Sequence, residues 1–128
     1  MSTPITKQDT FDTVYRGLAQ QGFKRSLETA GEGCRYRGAE GRKCAAGYVL
    51  PDEMYHPGME GFGIERERDL IEGEKPNLPT LAIRNLGHDI DLLVDLQLAH
   101  DFADTPNEMR ESLLAVAEAH DLTIPVTT

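Results

Sequence analysis

Apolar residues recur along this chain with two different periods. Phe11, Val14, Tyr15 and Leu18 stand at i, i+3, i+4 and i+7, a spacing that puts four side chains on one face of a helix. Thr6-Lys7-Gln8-Asp9 reads as the start of that helix, because Thr6 can accept an early backbone N–H and Asp9 lies near the positive end of the helix dipole. Gly22 predicts its end. A short helix is expected from Thr80 to Leu86, closed by Gly87, and a longer one from about Asp89 to Phe102 with Ile90, Leu92, Leu93 and Leu96 as its apolar stripe. The last helix has the clearest start: Thr105 as N-cap, Pro106 at the first helical position and Glu108 completing a capping box. Met109, Leu113, Val116 and Ala117 then face inward until Asp121, and Ile124-Pro125 forms an extended tail.

Between residues 34 and 46 the period shortens to two. A loop Ala39-Glu40-Gly41, with Gly41 left-handed and making a bulge, would set Arg37 opposite Lys43, Tyr36 opposite Cys44, Arg35 opposite Ala45 and Cys34 opposite Ala46. One face is then Cys34, Tyr36, Cys44 and Ala46, and the other carries Arg35, Arg37 and Lys43. A one-residue slip would bury a charge, so burial selects this register. The two sulfurs fall on a diagonal, beyond the ~7 Å reach of a disulfide. Ala46 to Leu50 is too short a run to separate strand from helical turn, and Pro51-Asp52-Glu53 ends it. Residues 56–78, rich in Gly, Pro and charge, read as a long surface loop. The fold class expected is therefore α+β: one domain over 1–128, with three to four helices packed on a short antiparallel β-hairpin.

Composition supports a folded domain: 128 residues, 39% apolar and 27% charged, enough to bury a core without staples. The N-terminal MSTPITKQDT has no apolar signal core, no window suits a membrane span, and two cysteines make no disulfide framework. The expectation is a cytoplasmic protein with reduced thiols and no membrane association. The net charge of −9 is uneven. Residues 1–50 hold eight Lys/Arg against five Asp/Glu, a net +3, and residues 51–128 hold five against seventeen, a net −12. Such acidity opposes general attraction to nucleic acid or anionic membrane but leaves room for a local basic patch.

The segment from Cys34 to Gly61, CRYRGAEGRKCAAGYVLPDEMYHPGMEG, and LLVDLQLAHD from Leu92 to Asp101, together resemble an uncharacterised family of small bacteriophage and prophage proteins. Its members share a Tyr-Arg-Gly hairpin leading into Lys-Cys-Ala, a Pro-Asp-Glu turn and a later Leu-Gln…His-Asp helix. The resemblance implies a setting, a phage accessory protein in a bacterial host's cytoplasm, and no particular activity.

No stretch carries a catalytic or cofactor motif, so no catalytic residue, metal ligand or cofactor is assigned. His88-Asp89, His100-Asp101 and His120-Asp121 invite comparison with metal phosphohydrolases, but a hydrolytic metal needs several such groups converging. Residues 88 and 100 lie about 120° apart around an ideal helix, and His120 suits its own helix's C-terminal dipole. Asp91 and Asp95, one turn apart, repel unless solvated. Asp52, Glu53 and His56 read as a turn. Cys44 beside Lys43 could be activated, yet the hairpin turns it inward.

The sharpest functional feature is the basic face of Arg35, Arg37, Lys43 and Arg42, extended by Lys24 and Arg25, which either pairs with the acidic half or captures a phosphate through a guanidinium fork. The leading expectation is a non-enzymatic accessory factor whose acidic surface modulates a host protein, a nucleic-acid-binding one among the candidates. The alternatives are a nucleotide or phosphate binder using the basic face and a metal-dependent hydrolase using the His-Asp pairs. Sequence leaves the oligomeric state open.

Overall fold

The computed structural model describes residues 5–25, 35–38, 41–60, 64, 73 and 75–125. They form five helices: α1 (Lys7–Gln20), α2 (Ala45–Val49), α3 (Leu78–Asn85), α4 (Ile90–Asp101) and α5 (Pro106–Ala119). Two 3-10 turns, Asp52–Met54 and Pro57–Met59, follow α2.

α1 lies where the apolar spacing places it. Phe11, Val14 and Leu18 are fully buried and Tyr15 nearly so, and Thr6 and Asp9 make the reciprocal capping box. Its C-terminus closes with the Phe23 N–H on the Leu18 carbonyl and the Gly22 N–H on the Ala19 carbonyl, with Gly22 at φ 72°, a Schellman turn. α5 ends the same way: the Leu122 N–H meets the Ala117 carbonyl and the Asp121 N–H the Glu118 carbonyl. Here Asp121, at φ 57°, takes the glycine's place. At the start of α5, Thr105 accepts the Glu108 N–H, while the Glu108 carboxylate accepts from Asp104 (3.1 Å), one residue before the position a capping box requires.

α4 is the centre of the molecule. It packs against α1, α2, α3 and α5, and Leu92, Leu93, Val94, Leu96, Gln97, Ala99 and His100 are all buried, as expected of a helix apolar on nearly every side. α3 begins at Leu78 behind an Asn77 cap, two residues earlier than the sequence suggests. Met59 and Ile64 are buried, so part of the segment expected to be a surface loop reaches the core.

The β-hairpin does not form: among the described residues there is no strand, and the fold they make is all-α rather than α+β. The turn itself is close to expectation. Gly41 has φ 74°, and the Gly38 N–H meets the Arg42 carbonyl at 2.9 Å. The ladder goes no further because side chains take the backbone groups it would use. The Tyr36 and Arg37 N–H groups donate to the Glu60 carboxylate at 2.9 and 3.1 Å. The Gln21 amide pairs both ways with residue 43, accepting its N–H at 3.0 Å and donating to its carbonyl at 2.9 Å. Cys44, Ala45 and Ala46, assigned to the second strand, become the N-cap and first turn of α2. Cys44 is buried, while Cys34 and the loop residues Ala39 and Glu40 lie outside the described residues.

A five-residue helix cannot stand alone in water, and α2 is held at both ends by side chains from elsewhere. Cys44 supplies no side-chain cap. The Gln97 Oε1 of α4 instead accepts the Ala46 N–H at 2.9 Å. At the other end Arg37 takes the carbonyls of Gly47 (2.9 Å) and Leu50 (2.7 Å).

Candidate functional site

A guanidinium has five N–H donors, and those of Arg37 all have acceptors within the molecule. Nε and Nη2 reach Asp52 Oδ1 at 3.1 and 2.8 Å, Nη1 reaches the carbonyls of Tyr36 (3.1 Å) and Gly47, and Nη2 also reaches that of Leu50. The group lies 4.8 Å from the Tyr55 ring centroid. Its fork is directed at the C-terminal carbonyls of α2, where a cation is favoured. Arg35 points its Nε to the Arg37 carbonyl (3.4 Å) and lies 4.0 Å from Glu60. Lys43 lies 4.0 Å from Asp52 and 5.6 Å from the Tyr48 ring centroid.

Glu60 is the counterpart that the sequence analysis missed. Its carboxylate accepts the Tyr36 and Arg37 N–H groups and the Tyr55 hydroxyl (2.7 Å), so it fills from within the kind of backbone anion seat a phosphate would occupy. Burial, then the bond to Glu60, raises the Tyr55 pKa. Glu60 stands outside any periodic run, and no local signal marks it. Gln97 and Gln21 were also missed. Gln97 did have a signal: it falls one turn after Leu93 and three residues before His100, a polar side chain on an inward face.

Arg42 parts from Arg35, Arg37 and Lys43. It joins Lys24 and Arg25 in a cleft of about 200 Å³ between the end of α1 and the start of α5.

The three His-Asp pairs are engaged separately. His100, fully buried, has Nδ1 2.8 Å from Asp101 Oδ1, which also accepts from Gln97 Nε2 at 2.7 Å. His88 Nδ1 lies 2.7 Å from Thr10 Oγ1, and Asp89 caps α4. His120 has Nδ1 3.2 Å from the Lys7 ammonium and Nε2 2.8 Å from Asp95 Oδ2. Since an ammonium can only donate, Nδ1 accepts and Nε2 carries the proton toward Asp95. Among the described residues no three His, Cys, Asp or Glu side chains gather as a metal set would. Of the Asp91–Asp95 pair, Asp95 is engaged by this His120 bond, and Asp52 opens a 3-10 turn as a turn sequence should.

A second surface lies along the outside of α4 and α5, which run antiparallel through the turn at 102–105. Leu98, Ala99, Ser112, Ala115, Val116 and Ala119, with Asp95, line a shallow groove of about 440 Å³. The small side chains of α5 leave its floor low, and Phe102, 78% exposed, stands at one end. At about 100° per residue, Glu108, Glu111 and Glu118 flank the groove side of α5, and Arg110 projects to the far side. On α4, Asp91 and Asp95 share the outward stripe with Leu98 and Phe102. All but Asp95 and Leu98, which are partly buried, are exposed. The cation nearest in the hydrogen-bond network is Lys7, reached through His120.

No family model, no curated protein and no solved structure matches this chain.

Proposed function

We propose that the protein is a non-enzymatic binding module whose α4–α5 groove receives an amphipathic helix of a partner protein, with Lys or Arg beside a narrow apolar face. The observation that carries this reading is an apolar trough flanked by carboxylates on both helices, with Arg110 on the far side of α5. Helix-in-groove recognition places apolar anchors at i, i+3, i+4 and i+7, and the small floor residues let such a helix approach closely. Charges along the flanks set orientation and partner choice more than raw affinity. The resemblance to small phage proteins suggests the setting, a host protein in a bacterial cytoplasm. A nucleic-acid-binding host protein is an apt class, since its own working surface is basic.

Fluorescence anisotropy tests the proposal with a labelled helical peptide of about four turns, alanine and leucine on one face and lysines beside it. The peptide should bind at low salt and loosen as salt screens the exposed flanks. Ala115→Trp, which fills the groove from an exposed position, should abolish binding without lowering the melting temperature. The pair Glu111→Gln and Glu118→Gln should weaken it, and Arg110→Gln on the far side should not. Absence of binding, or indifference to Ala115→Trp, would falsify the reading.

A further inference from the structure

We propose that the α4–α5 groove is gated by protonation of His120, so that a cationic partner helix held at neutral pH is released as the solution turns acid. The inference rests on the groove reading above and adds its regulation.

Among the described residues that line the groove, the charged one is Asp95. Its side chain is 33% exposed, so a partner's ammonium beside it is screened less than one beside the exposed carboxylates of the flanks. His120 holds that carboxylate in place. The residue closes the C-terminus of α5, and its side chain is 13% exposed. Nε2 donates to Asp95 Oδ2 at 2.8 Å, and Nδ1 accepts from the Lys7 ammonium at 3.2 Å. An imidazole that donates at one nitrogen and accepts at the other is neutral, and a neutral donor leaves Asp95 its full negative charge.

One proton changes both contacts. The protonated ring carries a donor at each nitrogen, so Nδ1 no longer accepts from Lys7, whose exposed side chain turns to water. The imidazolium and Asp95 then form an ion pair, and the charge that the groove offers a cation is cancelled. Partner and proton thus compete for one carboxylate, and each weakens the other's binding by the same factor.

α1 and α4 are the helices packed against α5. α1 brings Lys7 to the ring, with Asp12 bonded to Gln8 at 2.7 Å, and α4 brings Asp95, with Asp91 one turn away. On the ring's own element Glu118 and Asp121 flank it in sequence, and residues 122–125 carry no charge. Carboxylates ordinarily titrate at about pH 4 and ammonium groups at about pH 10. Of these groups, only an imidazole ordinarily changes charge between about pH 5 and 8.

The test repeats the anisotropy titration on the full chain at about pH 7.5 and about pH 5.5, on either side of the ordinary imidazole value, with the fold checked by circular dichroism at both. The lysines of the peptide hold their charge throughout. The wild type should bind roughly three- to tenfold more weakly at the lower pH, the scale of one partly screened charge. His120→Gln, whose amide can still donate to Asp95 but takes up no proton, should bring the ratio of the two affinities close to one. Asp95→Asn at the higher pH should bind about as weakly as the wild type at the lower. His56→Gln, which changes a histidine outside the groove, should keep the wild-type ratio. Saturating peptide should in turn move the ring titration of His120, followed by NMR, to lower pH. Absence of binding at the higher pH would overturn the groove and its gate together. Equal binding at the two pH values, an acid loss that His120→Gln retains, wild-type affinity in Asp95→Asn, or a His120 titration that the peptide leaves in place would overturn the gate alone.

Discussion

Arg37 shows how far a residue's chemistry depends on what surrounds it. From the sequence it is a solvent-facing cation on a hairpin, fit for a phosphate. In the fold it is the C-terminal clamp of α2, and its partner Asp52 is 80% exposed at the side chain, so the stabilisation comes from the carbonyls more than from the ion pair. Arg37→Gln is expected to destabilise the protein by about 2–3 kcal/mol, the scale of losing charge-assisted bonds to partly buried acceptors, as measured by urea denaturation. Arg37→Lys should recover little of this, because an ammonium has three donors and no fork. Asp52→Asn should cost less than about 1 kcal/mol. A larger effect at Asp52 than at Arg37 would reverse the assignment.

At the scale of elements, side-chain amides do the work a β-ladder was expected to do. Gln21 pairs with both backbone groups of residue 43 and also accepts the Tyr48 hydroxyl. Gln8 pairs likewise with Thr123, both contacts at 2.9 Å, and so ties the C-terminal tail to α1. α2 is packed so closely against α1 on one side and segment 36–38 on the other that each contact requires a glycine. A Cβ on Gly17 would fall 2.5 Å from the Tyr48 ring, and one on Gly47 2.5 Å from the Tyr36 carbonyl oxygen. In an open helix Gly→Ala gains about 0.5–1 kcal/mol. Gly47→Ala should instead lower stability by roughly 1–3 kcal/mol, the scale of an overpacked site, since backbone cannot yield as a side chain can. Thermal denaturation giving a stabilised Gly47→Ala would show that segment 36–38 does not pass over α2.

At the scale of the whole molecule, His88 links the turn between α3 and α4 to α1 through Thr10, and burial lowers its pKa below the ordinary 6.5. The folded state therefore prefers the neutral ring, and the unfolded chain takes up the proton first as pH falls. The stability this confers is present above about pH 6.5 and is lost as pH falls toward the lower folded value. His88→Gln should flatten that limb of the stability–pH curve, measured by chemical denaturation at several pH values. An unchanged limb would assign it to other groups. Tyr48, raised chiefly by burial and then by Cys44, acts at the opposite end: its stabilisation holds below about pH 10 and is lost above it. Part of the uneven charge has a spatial meaning: Asp91, Glu108, Glu111 and Glu118 lie exposed on α4 and α5, while Arg37 is drawn inward onto the carbonyls of α2.

The local pattern determined the helices that carry their own instructions. The Thr6 and Thr105 caps, the 3.6-residue stripes of α1, α4 and α5, and the left-handed Gly41 are all set by residues within a turn of one another, and each forms close to where the sequence places it. Only the tertiary structure decided between strand and helix at residues 44–46, because the deciding groups, Glu60, Gln21 and Gln97, lie 22 to 51 residues away from the backbone they bind. The same distance separates a legible set of cations from its use. Their charge is plain in the sequence, but which carbonyls and carboxylates they meet depends on chain segments that only the packing around α4 brings together.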